Sequence, residues 1–242
     1  MFHRKEALVK PEIPFSDGTR GVLQCLKPKG ELVTDLLNLL ACLLTKKERS
    51  FNQNPPIWFF PTNVSQAILS WTTNPNSMKI LIKANFMGKV DLLEKIFIPV
   101  NDDNKHWYLI VLDFKNEQVV YLDSYPEEGR MLARIRRTKL LCIYLEELLQ
   151  DQSFYLIDDN PKPIVSEFKM VIPEGLMVQK KDSNDCGVFV ATWMNQMGIN
   201  GYKIEVDNFT RLKLAVDLVL HSHNLLQGVM LSKSLVWMKD MR

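Results

Sequence analysis

A chain of 242 residues, 46% apolar and 24% charged, is long enough to bury one large core or two lobes that share a cleft. Ten glycines and twelve prolines, with no run rich in serine, glycine or proline, exclude a fibrous or disordered chain. The net charge of +2 and the interleaving of lysines and arginines with acids leave no basic stripe of the kind nucleic acid selects.

In chain order, residues 1–20 carry prolines and glycines without a sustained period and read as an extended arm, ahead of a single domain over 21–242. From Glu31, "ELVTDLLNLLACLLTKK" sets Leu32, Leu36, Leu39, Leu40 and Leu43 on one helical stripe that ends in lysines suited to a helix C-terminus. "PPIWFFPT" reads as a short strand stopped by proline, after which Thr62 would cap a helix through "NVSQAILSWTT". No period is readable between residues 75 and 94. The stretch Ile96 to Asp123 reads as three strands, "IFIPV", "HWYLIVLDF" and "VVYLDSY", the middle one apolar on both faces and so central.

A long amphipathic helix, Gly129 to Leu149 and basic in its first half, is followed by a loop through "NPKPIVSEF". "CGVFVATWMNQM" is helical, with Val190, Trp193, Met194 and Met197 on one face, and a last helix runs through "FTRLKLAVDLVLHSHNLLQ". Helices outnumber strands and the strands cluster in the middle, which is an α+β pattern.

Cys25, Cys42, Cys142 and Cys186 are far apart, with no C-x-x-C pair and no histidine at ligand spacing, so neither zinc nor a disulfide framework is expected. The N-terminus lacks the apolar run of a secretory signal and no 18-residue apolar stretch exists, which points to an intracellular setting, nucleus or cytoplasm, with free thiols. His221 and His223, two apart on the expected last helix, face apart and suggest no ligand pair.

Cys186 opens a helical pattern, where the positive helix end favours a thiolate. Gly187 after it would leave room for a substrate backbone, and Asp185 before it stands at an N-cap position. An arbitrary cysteine in such an apolar run is more often a buried structural residue. His106 is the only histidine outside the N-terminus and the last helix, and so the candidate base; a hairpin edge is its plain alternative. Asp123, in an apolar strand, needs a cationic or donating partner. A hairpin closed symmetrically about Lys115 to Gln118 sets Phe114 opposite Val119 and Asp123 opposite Ile110. Asp123 then shares a face with His106 at a separation of about 13 Å, which a bulge or register shift must close.

These stretches, "HWYLIVLDF", "LDS" and "SNDCGVFV", resemble the catalytic domain of the ubiquitin-like-protein-specific proteases, the Ulp/SENP family, and most of all its divergent plant and transposon-associated members. The likeness runs from about Val22 to Met197. It implies a papain-like cysteine protease fold of the Ulp/SENP type, a central mixed sheet flanked by helices. It also implies a cysteine-type peptidase that works as a monomer without cofactor or metal, on SUMO or another ubiquitin-like protein and its conjugates, cleaving after a C-terminal di-glycine.

In that resemblance Cys186 is the nucleophile, His106 the base, Asp123 the residue that orients the imidazole, and Gln179 the side-chain donor of the oxyanion hole. Gln179 stands seven residues before Cys186 (186 − 179), one more than in many members, so "QKKDSND" must absorb an insertion. Trp107 resembles the aromatic lid over the di-glycine, although a tryptophan in a central strand is also plain core. "LKPKGELVTDLLNLL" resembles an N-terminal segment in which the family's tryptophan is replaced here by Glu31 or Leu32, while Asp35 matches an acid that contacts the modifier. The basic cluster "RMLARIRRTK" would either meet an acidic modifier or form a solvated helix face. A protease-like module that binds a ubiquitin-like protein with little turnover, or a cysteine acyltransferase with the same triad, carries the same residue types; no acyl-CoA-binding feature is readable.

Overall fold

The structure, a computed structural model, describes residues 4–70, 75–157, 160–196 and 201–240. Strand β1 (Ala7–Val9) pairs with β2 (Gly18–Thr19) antiparallel, and a helical turn α1 (Arg20–Leu23) follows, capped by the Thr19 hydroxyl. The segment before α1 packs on the core through Val9, which is fully buried. Helix α2 (Thr34–Phe51) is buried at every position from Leu36 to Thr45, so it runs through the core and not along its surface. Leu32, expected on its stripe, precedes the helix but is still buried.

Strand β3 (Ile57–Phe59) leads into α3 (Thr62–Ser70). Thr62 does not cap this helix through its own hydroxyl. Both its backbone N–H and its hydroxyl donate at 2.8 Å to Oδ1 of Asn38 in α2, so a buried amide on a neighbouring helix supplies the acceptor. Where no period was readable lies α4 (Pro75–Asn85), with proline at its first position, where a missing N–H costs nothing. The expected extension of α3 through Trp71, Thr72 and Thr73, and Met197 of the later helix, fall outside the described residues.

Strands β4 (Lys95–Asp102), β5 (His106–Asp113) and β6 (Gln118–Leu122) form the meander read from the sequence. Every residue of β5 is buried, as a strand covered on both faces requires. Helix α5 (Glu128–Leu149), strand β7 (Lys169–Val171), and helices α6 (Cys186–Asn195), α7 (Asn208–Val219) and α8 (Gln227–Asp240) complete the chain. The sheet order is β3-β4-β5-β6-β7, parallel at both outer pairs and antiparallel within the meander: a five-stranded mixed sheet flanked by helices. Helix α6 packs on β5, α3 on β4 and α2 on β3. No helix among the described residues is long and apolar enough to cross a membrane.

Two expectations are corrected. The long last helix breaks after Val219, because the Asn224 side-chain amide donates to the Val219 carbonyl at 2.7 Å and to the Leu8 carbonyl at 3.1 Å, tying the turn to the N-terminal segment. His221 and His223 therefore lie in a turn, with ring centroids 5.7 Å apart, and His223 meets Glu12. The β5–β6 hairpin is also two residues out of the expected register: Val119 faces Leu112 and Tyr121 faces Ile110. Asp113 accepts from the Asn116 N–H at 3.0 Å and Glu117 takes a positive φ of 50°, so the turn begins one residue earlier than symmetric closure allows. That shift moves Asp123 toward the His106 end of the sheet.

Candidate active site

His106 is the first residue of β5, set there by a tight turn in which Lys105 N–H donates to Asp102 C=O at 3.0 Å. The turn needs positive φ at Asp103 (55°) and Asn104 (57°), which their short polar side chains tolerate. Asp123 directly follows β6, and its Oδ1 lies 2.7 Å from Nε2 of His106. That contact leaves Nδ1 as the ring nitrogen available to Cys186, which lies near enough to act on the imidazole. All three side chains are buried: Cys186 is 5% exposed, His106 8% and Asp123 4%.

The electrostatics follow from these contacts. Burial disfavours a charged imidazole, but the hydrogen bond to Asp123, with the influence of the neighbouring Cys186, outweighs it and raises His106 to about 9. Burial likewise opposes the Asp123 carboxylate, and the His106 and Tyr121 hydrogen bonds overcome it, holding the group below the usual carboxylate range. Burial pushes the Cys42 and Cys142 thiols up to about 12 and raises Cys25. Cys186 is the cysteine placed at a helix N-terminus and against an imidazole.

Gln179 is anchored beside this group. Its backbone N–H donates to the Ser124 carbonyl at 2.8 Å, its Oε1 accepts from the Ser124 hydroxyl at 2.9 Å, and its Nε2 donates to the Ser183 carbonyl at 3.0 Å. The stretch between Gln179 and Cys186 holds a turn closed from Ser183 N–H to Lys180 C=O at 3.1 Å, with Asp182 at a positive φ of 61°.

Trp107 is 3% exposed, and its indole N–H donates to the Leu32 carbonyl at 3.1 Å. Asp35 is exposed in the first turn of α2, where its backbone carbonyl accepts from the Ser16 hydroxyl.

Gly187 has a different reason from the one expected. A Cβ there would sit 2.5 Å from Cβ of Leu32 and 3.1 Å from the Trp107 ring, so the missing side chain makes room for this chain's own packing. Gly187→Ala is expected to destabilise the fold by about 1–3 kcal/mol, because the nearest atom belongs to a buried Leu32 that cannot swing aside. Urea unfolding that gives the same midpoint for wild type and variant would refute this.

Asp185 does not cap α6 with its side chain. Its carboxylate turns to Arg211 of α7, at 2.7 Å from Nη2 and 3.1 Å from Nε. Arg211 is 1% exposed and also donates to the carbonyls of Cys25, Lys27 and Asn184, holding the residues before Cys186 against the segment that leads to Leu32.

The basic cluster in α5 divides: Arg130, Arg134 and Arg137 turn to aspartates of this chain, while Arg136 and Lys139 are exposed. Arg134 is fully buried and bonds Asp102 and Asp123, while Arg130 and Arg137 pair with Asp102 and Asp103. The signal was the spacing 130, 134, 137, which puts three arginines on one helical face, together with two adjacent aspartates at the hairpin turn.

A model of the Ulp1 protease family, C-terminal catalytic domain, matches residues 72–197. The chain is 27% identical over 184 residues to Ubiquitin-like-specific protease 1A of Arabidopsis thaliana, covering 74% of this chain and 34% of that protein. It is 24% identical over 136 residues to Ubiquitin-like-specific protease 1 of Saccharomyces cerevisiae, covering 54% of this chain and 18% of that one. The chain thus spans about a third or less of the length of these relatives.

Among solved structures, the C-terminal Ulp1 protease domain in complex with Smt3, the yeast orthologue of SUMO, superposes with a TM-score of 0.64 at 17% identity, over 91% of this chain and 87% of that one. At that identity the likeness is one of fold, and it is the fold expected. The family model covers more than half of the residues, and the chain belongs to the Ulp1 protease family, carrying its catalytic domain.

Proposed function

We propose that the protein is a cysteine-type peptidase and isopeptidase that cleaves after the C-terminal di-glycine of SUMO or a related ubiquitin-like modifier. The observation that carries this is the buried group in which Asp123 lies 2.7 Å from the His106 ring while Cys186, at the start of α6, is near enough to act on the same imidazole. The Cys186 thiolate attacks the carbonyl of the terminal glycine, and His106 gives its proton to the departing amine. Water, deprotonated by the same imidazole, then hydrolyses the thioester and releases the carboxylate and the thiol. One hydrogen of the Gln179 amide is spent on the Ser183 carbonyl; the other would serve an oxyanion together with the Cys186 backbone N–H.

Trp107 and the facing Leu32 would wall the channel for the di-glycine, and Asp35, exposed one turn further on, would meet the modifier. Residues 21–242 form the catalytic domain in this reading, with residues 1–20 as an arm against it. It acts as an intracellular monomer, in nucleus or cytoplasm, and takes neither nucleic acid nor a membrane as partner.

The test is reaction with a panel of ubiquitin-like proteins bearing C-terminal electrophiles, followed by mapping of the adduct. A Cys186 adduct with at least one di-glycine modifier is expected, and no adduct with any member would sink the proposal.

The raised His106 also sets the pH dependence. The imidazolium stays charged until about pH 9 and is lost above it, so kcat/KM is expected to fall along an alkaline limb near 9, where the leaving amine loses its proton donor. The same sign holds for stability: the pairing of charged His106 with Asp123 contributes fully below the ordinary histidine value of 6.5 and is lost as pH rises through 9. A limb near 6.5 would show that Asp123 and Cys186 do not hold the imidazolium.

A further inference from the structure

We infer that Arg134 is a positioning residue for the His106–Asp123 pair: one buried guanidinium grips the carboxylate that orients the imidazole and, with another nitrogen, the end of β4 that pairs with the residue bearing that imidazole. This rests on the reading of His106 and Asp123 given above.

Asp123 has two oxygens, and the described residues fill both. Oδ1 faces Nε2 of His106 at 2.7 Å and accepts from the Tyr125 N–H at 2.9 Å. Oδ2 accepts from the Tyr121 hydroxyl at 2.6 Å and from Nη1 of Arg134 at 2.7 Å. The carboxylate cannot turn toward or away from the ring without breaking the Oδ2 contacts. Nε of the same guanidinium donates at 2.9 Å to Oδ2 of Asp102, whose cross-strand partner is His106. Nη1 also reaches the Tyr125 carbonyl at 3.3 Å, and the guanidinium lies over the Tyr108 ring with its carbon 5.9 Å from the centroid.

Asp102 and Asp123 are both buried, at 2% and 4% exposure, and Arg134 is the cation that bonds both. Arg137 and Arg130 reach Asp102 from more exposed positions. Lysine does not replace the guanidinium in this role, because its three donors sit on one nitrogen at the end of a flexible stem and do not reproduce the fixed spacing of Nε and Nη1 that holds the two carboxylates apart.

The experiment compares wild type, Arg134→Lys, Arg134→Gln, Asp123→Asn and the double variant Asp123→Asn/Arg134→Gln, on a di-glycine fluorogenic modifier over a range of pH, with the melting temperature of each. Arg134→Gln is expected to lower kcat about 10- to 100-fold with KM nearly unchanged, as a small misplacement of a reacting group does. Its alkaline limb should move to lower pH, since His106 loses a well-aligned acceptor; removal of a nearby positive charge without loss of alignment would move the limb the other way. The double variant should be slower than Asp123→Asn by much less than the loss Arg134→Gln causes on its own, because Asp123→Asn already removes the carboxylate through which Arg134 reaches the imidazole and leaves only its hold on Asp102.

Losses that multiply in the double variant, or an alkaline limb that stays in place or rises, would overturn the inference. Should Arg134→Gln fail to fold, Arg134→Lys, which keeps the charge, carries the test with the same expected fall in kcat and in the limb. If the wild type turns over no modifier, the proposed function fails, and the positioning role is decided separately. Nuclear magnetic resonance titration of His106 in Cys186→Ala, with and without Arg134→Lys, should show the histidine titrating at lower pH in the lysine variant; an unchanged or higher titration point would overturn it.

Discussion

Cys186→Ala is expected to abolish cleavage of a di-glycine modifier, by at least about 10⁴-fold, while binding of the uncleaved modifier stays within about twofold of wild type. The alanine keeps the Cβ and removes only the sulfur, at a position where the side chain is small and already buried, so α6 and its packing on β5 are retained. The thiol bonds carbon in the reaction but contributes little to holding a folded partner, whose affinity comes from a wider surface. Two measurements on both proteins decide it: turnover of a fluorogenic modifier, and calorimetric titration with the intact modifier. Retained cleavage in the alanine variant would remove Cys186 from the mechanism. Binding by wild type with no cleavage at all would favour a protease-like module over an enzyme.

The parts of the site that were legible in the sequence are those whose local chemistry is unusual. A histidine at the open end of an all-apolar strand, an aspartate inside another, and a cysteine at the head of a helix each conflict with their surroundings, and the histidine and the aspartate turn out to satisfy each other. The meander itself was legible because β5 is apolar on both faces, the pattern of a strand covered from two sides.

What was not legible depends on the partner that a side chain finds across space. Hairpin register depended on the Asp113 side chain taking the Asn116 N–H, and symmetric closure about the turn misplaced Asp123 by two residues. Asp185 looked like a cap and is an ion-pair partner, Gly187 looked like a gap for substrate and is filled by Leu32 and Trp107, and Arg130, Arg134 and Arg137 of α5 looked solvated and hold two buried carboxylates. A sequence read locally assigns an arginine to the surface by default, since arginine is rarely buried unless paired. Here the pairing residues lie in strands or loops far along the chain. Asp102 precedes Arg134 by 32 residues, and Asp185 precedes Arg211 by 26.

The second large effect concerns that other buried arginine. Arg211→Met is expected to destabilise the fold by about 3 kcal/mol, near the low end for breaking a buried ion pair. The low end applies because the Asp185 side chain remains 21% exposed and can recover some water, whereas Arg211 is 2% exposed at its side chain. The cost is not electrostatic alone: methionine also leaves the Cys25, Lys27 and Asn184 carbonyls without the donor that now joins them.

For a domain of this size the melting temperature should fall by roughly 6–12 °C. Activity should fall with it even at temperatures where the variant is folded, since Asn184 and Asp185 directly precede Cys186 and are held in place by this guanidinium. Adding Asp185→Asn to Arg211→Met should recover part of the stability, at least about 1 kcal/mol, because the uncompensated carboxylate is removed while the orphaned carbonyls remain. Calorimetric unfolding of the two single variants and the double provides the cycle. A fall of less than about 1 kcal/mol in Arg211→Met, or a double variant weaker than both singles, would show that the clamp behind Cys186 is held by packing and not by this pair.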